Sequence, residues 1–214
     1  MEKFVLQLAV MCCIATRAIS MTTVYMDDHC NKTFIVDDSV RIVSSRGDYL
    51  RARTSCNIFL MSNSKETNEL VHIRTFNITC AQGFLTLYDG KGIVPNNIVA
   101  LGLCGQKSRL PLTVFNSTLH GFTLALTTDN WNFHGGFDIL VTSYFKDGPC
   151  SVREYECSNK WCIARNLHCD GYDNCGNASD ETHCSGGGAR HSSSSYLIMT
   201  VFLFLFSISQ KLRT

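Results

Sequence analysis

Six cysteines fall within the 35 residues from Cys150 to Cys184, spaced Cys150-x6-Cys157-x4-Cys162-x6-Cys169-x5-Cys175-x8-Cys184. No other feature restricts the fold as much. So short a segment cannot bury enough apolar surface to offset the entropy of ordering its chain, so disulfides and a bound metal must supply much of its stability. Disulfides persist in oxidising compartments, which puts the segment outside the cytosol. Cys30, Cys56, Cys80 and Cys104 are spread widely upstream, while Cys12 and Cys13 sit in an N-terminal apolar run. The ten cysteines from Cys30 onward are an even number, and all are expected to pair. Counting alone leaves three connectivities open for a set of four and fifteen for a set of six.

Both ends carry the marks of processing. Glu2-Lys3 precedes an apolar run from Phe4 to Ala15, and Ala18-Ile19-Ser20 supplies small residues, so residues 1–20 are expected to be a signal peptide cut after Ser20. At the other end, Ser185-Gly186-Gly187 opens a small and polar spacer (185–195), followed by a hydrophobic tail (196–214) that is apolar from Tyr196 to Ile208. That order points to a GPI anchor with Ser185 as the attachment candidate. A short transmembrane helix stopped by Lys211 and Arg213 is the alternative, and outright secretion a further one. The sequons at Asn31, Asn77, Asn116 and Asn177 fit the same secretory route.

Residues 21–185 hold 14 Lys and Arg against 17 Asp and Glu, a net of −3, which argues against a nucleic-acid partner. The acidity is local. Residues 21–149 hold 11 of each sign, whereas Cys150 to Cys184 hold 3 positive and 6 negative. A turn at Lys146-Asp147-Gly148-Pro149 separates the two parts.

The first part reads as all-β. Phe84, Leu85 and Leu87 precede Asp89-Gly90; Phe122, Leu124 and Leu126 precede Asp129-Asn130; Phe137, Ile139 and Val141 follow Gly135-Gly136. Short apolar alternations between turn signals favour a two-sheet sandwich.

The stretch Cys80 to Gly90, the triplet Leu103-Cys104-Gly105 and the run Leu124 to Phe137 with its Asp129 resemble CUB domains in order and spacing. The resemblance covers residues 30–145 within a domain spanning 21–149, and diverges near Ser44 to Tyr49, where the family usually has a Pro-containing segment. It implies a ten-strand sandwich with Cys30 bonded to Cys56 and Cys80 to Cys104. Residues 150–184, with Cys169-Asp170-Gly171 and Ser179-Asp180-Glu181, resemble an LDL-receptor class A module. That implies the pairs Cys150 to Cys162, Cys157 to Cys175 and Cys169 to Cys184. The fold class is therefore an all-β CUB-type sandwich plus a small disulfide-rich, calcium-stabilised module.

Carried over position by position, the class A resemblance assigns Ca²⁺ to the side-chain oxygens of Asp170, Asn174, Asp180 and Glu181 and the main-chain carbonyls of Leu167 and Tyr172. Asn174 stands where the family usually has Asp, so weaker affinity is expected from one negative ligand fewer. Class A modules commonly hold a partner's Lys against these acids beside an aromatic residue, and Leu167 replaces that aromatic here. Trp161 is either a contact residue or packed against the disulfides. Many CUB domains carry a calcium site of their own, but this chain keeps Asp129 alone, with Gly83 at a second acid's position and no Glu from Phe76 to Cys80. No calcium is expected there.

Lesser motifs carry little. Arg46-Gly47-Asp48 is an integrin-type tripeptide, and Lys107-Ser108-Arg109 and Arg51-Ala52-Arg53 are small basic clusters that ordinarily mark solvated strand ends. His168 and His183 read as surface residues beside cysteines. No nucleophile elbow, zinc-protease motif, P-loop or unpaired cysteine is present, so the chain is not expected to be an enzyme. The architecture resembles neuropilin and tolloid-like auxiliary proteins of ligand-gated ion channels, which carry two CUB domains. It implies a membrane-anchored adaptor, co-receptor or auxiliary subunit acting on the extracellular domain of another receptor or a secreted protein ligand. The alternatives are a secreted ligand carrier or protease regulator, and an endocytic co-receptor.

Overall fold

The computed structural model describes residues 21–47 and 49–184. The expected signal peptide, Asp48 of the Arg-Gly-Asp tripeptide, Ser185 and the apolar tail lie outside the described residues. Thirteen strands precede Lys146: β1 (Thr23–Tyr25), β2 (Lys32–Val36), β3 (Ser39–Val43), β4 (Tyr49–Leu50), β5 (Ser55–Ser62), β6 (Asn68–Ile78), β7 (Gly83–Asp89), β8 (Ile98–Leu103), β9 (Gly105–Gln106), β10 (Val114–Asn116), β11 (Gly121–Thr128), β12 (Phe133–His134) and β13 (Gly136–Tyr144). One sheet runs β1-β3-β13-β6-β10 with β9 also on β6; the other runs β2-β5-β11-β7-β8. These two sheets hold eleven strands rather than ten, because the two-residue β9 pairs Gly105 and Gln106 with Ile78 and Asn77.

The alternation in the sequence becomes the core. Leu85, Leu87, Phe122, Leu124, Leu126, Phe137, Ile139 and Val141 are all buried between the sheets. Phe84 is not: at 41 % exposure it takes the outer face, one residue out of phase with Leu85 and Leu87 on β7. Cys30 is bonded to Cys56 and Cys80 to Cys104.

The segment after Pro149 has two short strands, β14 (Glu154–Glu156) and β15 (Cys162–Ala164), paired antiparallel, and the disulfides Cys150 to Cys162, Cys157 to Cys175 and Cys169 to Cys184. It is joined to the sandwich by backbone. The Phe145 N–H donates to the Cys162 carbonyl (2.9 Å) and the Cys162 N–H to the Phe145 carbonyl (2.8 Å).

The outer face of β13 shows how closely the two parts fit. In an antiparallel sheet with one wet face, every second residue of a strand is exposed. Along β13, however, Leu140, Thr142 and Tyr144 are at most 1 % exposed although their neighbours Ile139 and Val141 fill the inter-sheet core. The small module covers Thr142, which bonds Asn174, and Tyr144. Tyr144 stacks on Trp161 with centroids 4.4 Å apart, and Leu70 and Tyr144 share an apolar cluster with Cys157, Ile163, Leu167 and Cys175. Trp161 is thus committed to packing on the sandwich.

Candidate metal centre at the module interface

The loop from Leu167 to Glu181 is folded by its own polar groups. The Asp170 carboxylate accepts from the Tyr172 N–H (2.9 Å), Asp180 from the Asn174 N–H (2.6 Å), Glu181 from the Gly171 N–H (3.1 Å) and Asp173 from the Ala178 N–H (2.8 Å). Each acid satisfies an N–H that the irregular stretch between the 3-10 turns Arg165–Leu167 and Ser179–Glu181 would leave unpaired. Burial raises Asp180 above its ordinary value and pushes Asp170 up to about 6. Asp180 is fully buried, and its Oδ1, like Oε1 of Glu181, has no hydrogen-bond partner among the described residues. Buried carboxylate oxygens without donors are costly unless a cation shares them.

Asn174 sits at the centre and is fully buried. Its Nδ2 reaches Asp170 Oδ1 (3.1 Å) and Oδ2 (3.2 Å), the Tyr172 carbonyl (3.1 Å) and the Leu167 carbonyl (3.5 Å). Its Oδ1 points the other way and accepts from the Thr142 hydroxyl (2.9 Å) on β13. The structure thus brings all six residues assigned from the sequence into one loop, with the amide nitrogen of Asn174, not its oxygen, turned to Leu167, Asp170 and Tyr172. No three His, Cys, Asp or Glu side chains among the described residues are grouped so as to hold a metal by themselves. A cation here would depend on the two carbonyls and Asn174 besides the acids. Three carboxylates, two carbonyls and one amide oxygen make six oxygen donors, the lower limit for Ca²⁺, and the two unpartnered oxygens fit such an ion.

The acidic loop faces the sandwich rather than solvent. Arg74 on β6 lies over the Tyr172 ring at 4.5 Å and also donates to Asp138 (3.0 Å), which takes a second, bidentate contact from Arg41 (3.0 and 2.9 Å). His72 Nδ1 stands 3.2 Å from the Asp173 carbonyl and 3.5 Å from its carboxylate. Leu167 is buried in the shared apolar cluster. Gly176 (φ +75°) allows the close approach: a Cβ there would come within 2.9 Å of Val114 and 3.1 Å of Leu70.

The other sequence candidates are placed as follows. A side chain at Gly83 would meet the Thr127 carbonyl at 2.8 Å, so that position is closed by backbone. Asp129 shapes a turn, its N–H donating to the Gln82 carbonyl and its carbonyl accepting from Arg53. Arg46 is paired with Asp28 (2.8 Å) and lies over Tyr25, and Lys107 donates to the Arg74 carbonyl (3.0 Å). His168 is half-buried, stacked on Tyr155 at 4.1 Å, while His183 is exposed. The asparagines of all four sequons are exposed.

One residue stands out that the sequence reading does not single out. Trp131 is 73 % exposed, on a loop pinned on both sides: Asn132 Oδ1 accepts from the Ala52 N–H (2.7 Å) and Asn130 Oδ1 from Arg53 Nε (3.0 Å). The signal was present as a Trp between two turn-forming asparagines.

Residues 148–184 match the model of the low-density lipoprotein receptor domain class A. Mouse neuropilin and tolloid-like protein 1 is 28% identical over 145 residues, 64% of this chain and 23% of that protein. Human membrane frizzled-related protein is 28% identical over 89 residues, 40% of this chain and 14% of that protein. The chain spans about a quarter or less of the length of these curated relatives. Among solved structures, the CUB1-EGF-CUB2 domain of human MASP-1/3 superposes with a TM-score of 0.44 at 12% identity, over 54% of this chain and 42% of that one. The chain is a CUB-like β-sandwich followed by an LDL-receptor class A module, distantly related to the neuropilin and tolloid-like proteins.

Proposed function

We propose that this chain is a non-enzymatic, membrane-anchored adaptor that docks the extracellular domain of another membrane receptor onto the tip of its sandwich. Both parts are protein-binding modules stapled for an oxidising, extracellular setting. The observation that carries the reading is Trp131. An indole held in water on a loop fixed by Asn130 and Asn132 adds no stability to the monomer, yet it is the residue type most often found at the energetic centre of an interface. Exposed Arg51 and Arg53 flank it from the facing loop, so the partner surface is an apolar pocket with an acidic rim. The class A module contributes by bracing the sandwich, since its acidic loop is engaged with Arg74, His72 and Thr142. In that role it holds Ca²⁺ through Asp170, Asp180, Glu181, Asn174 and the carbonyls of Leu167 and Tyr172, and the ion neutralises the buried carboxylates.

The adaptor reading extends to attachment by a GPI anchor at Ser185 and to an auxiliary role at ligand-gated channels. The similarity to proteins named neuropilin and tolloid-like supports an extracellular binding role. Tagged protein on intact cells is treated with a phosphatidylinositol-specific phospholipase, and surface receptors are then co-purified with the native chain and with Trp131→Ala. Release by the lipase is expected, together with loss of about 2 kcal/mol or more of partner binding in the variant and an unchanged melting temperature. Equal recovery of the partner by both chains would move the interface elsewhere. Protein found mainly in the medium would favour the secreted carrier.

A further inference from the structure

The four oxygens around the Asn174 amide are two carboxylate oxygens and two carbonyls, and all of them can only accept hydrogen bonds. Only the N–H₂ end of the side chain, with its two hydrogens, can donate to them. A cation that takes the same oxygens competes with that end directly, because N–H₂ and cation need the same lone pairs. The two ends of an amide are nearly equal in size, so turning it end for end fits the same buried space. Its outer contact permits the turn, since Thr142 donates to Oδ1 and a hydroxyl can equally accept from Nδ2. The aspartate usual at this position in class A modules has no donor and cannot close the cage by itself.

We propose that Asn174 is an exchangeable occupant of this cage. It closes the four oxygens with its own N–H groups, admits Ca²⁺ only by turning its amide oxygen inward, and keeps its bond to Thr142 of the sandwich in both arrangements. The inference rests on the cation reading above. It makes Asn174 and Thr142 the residues that set calcium affinity, and it places that control at the junction of the two modules. Ca²⁺ then binds more weakly than in a cage with Asp at this position, and the module stays docked whether or not the ion is bound.

The test uses the full-length chain purified in detergent, labelled with ¹⁵N at asparagine, stripped with EDTA and titrated with CaCl₂. In EDTA, the Asn174 side-chain amide protons are expected to show contacts to Tyr172 and Leu167. With saturating Ca²⁺ those contacts are replaced by contacts to the Thr142 methyl, while the Tyr144 and Trp161 resonances hold their positions. Calorimetry of Asn174→Asp is expected to show Ca²⁺ binding at least tenfold tighter, with a melting temperature in EDTA below that of the native chain. Binding of Ca²⁺ with unchanged amide contacts, or no tightening in Asn174→Asp, overturns the exchange and leaves the cation site standing. No saturable binding by either protein overturns the cation site as well.

Discussion

The sandwich and the class A module solve the same stability problem with different means. The sandwich interdigitates two sheets around a continuous apolar core running from Val24 to Val141, with two disulfides as additions. The module has three disulfides and an apolar cluster in which Leu70 and Tyr144 come from the sandwich. A unit of 35 residues is too small to make its own interior, so this one borrows the outer face of β6 and β13. The borrowing turns the acidic loop inward, and a surface free in an isolated module becomes a structural joint.

Removing the shared aromatic is the strongest way to break this picture. Tyr144→Ala is expected to cost about 4 kcal/mol, the range for a fully buried aromatic. The loss should split unfolding into two transitions and expose Trp161, seen as a red shift of its emission. A single transition with a loss under about 1 kcal/mol would mean that the module stands alone.

The second test separates the two parts by pH. Glu69 on β6 is fully buried; Ser62 donates to its Oε1 (2.8 Å), and Oε2 has no hydrogen-bond partner within bonding geometry among the described residues. Burial pushes its carboxyl from an ordinary 4.5 up to about 8. The folded sandwich favours the protonated acid, so the stabilising contribution is complete below about pH 4.5 and is lost as the pH rises through about 8. From pH 5 to 7.5 the sandwich should lose about 3 kcal/mol, at about 1.4 per unit. Glu69→Gln should flatten that profile in a chemical denaturation series. A native profile already flat over this range would show that Glu69 ionises freely.

The smallest effect sharpens the comparison at its edge. Arg74 is partly exposed; it joins the modules by lying over Tyr172 and is held in place within the sandwich by its pair with Asp138. Arg74→Ala is expected to cost about 1 kcal/mol, given the modest worth of exposed ion pairs and cation–π contacts. Faster proteolysis at the Lys146 to Pro149 connection would report the loosened joint.

Much of the fold was legible because its signals are local. Phe122, Leu124 and Leu126 alternate with smaller residues as a strand predicts, and the cysteine spacing marks the module without any structure. The docking was less legible, although one trace existed: Ile139-Leu140-Val141 is an unbroken apolar run on a strand where alternation was expected. A strand buried on both faces reads this way, but the sequence does not say what covers the second face. The candidate site was read by position and its residues do gather. The orientation of Asn174 was beyond reach, because which end of an amide faces inward depends on a hydroxyl 32 residues away.

By itself the sequence determined an extracellular, disulfide-bearing chain in two parts, an all-β one and a cysteine-rich one with six positions grouped for a cation. The two parts follow from spacing and alternation, which are properties of the chain taken a few residues at a time, and the six positions follow from the resemblance to class A modules. Tertiary structure alone decided that the acidic loop faces inward, that Trp161 is packed while Trp131 is bare, and that Thr142 reaches Asn174. Each depends on where two surfaces distant in sequence come together, and burial of Leu70, Tyr144 and Ile163 in one shared cluster fixes that place.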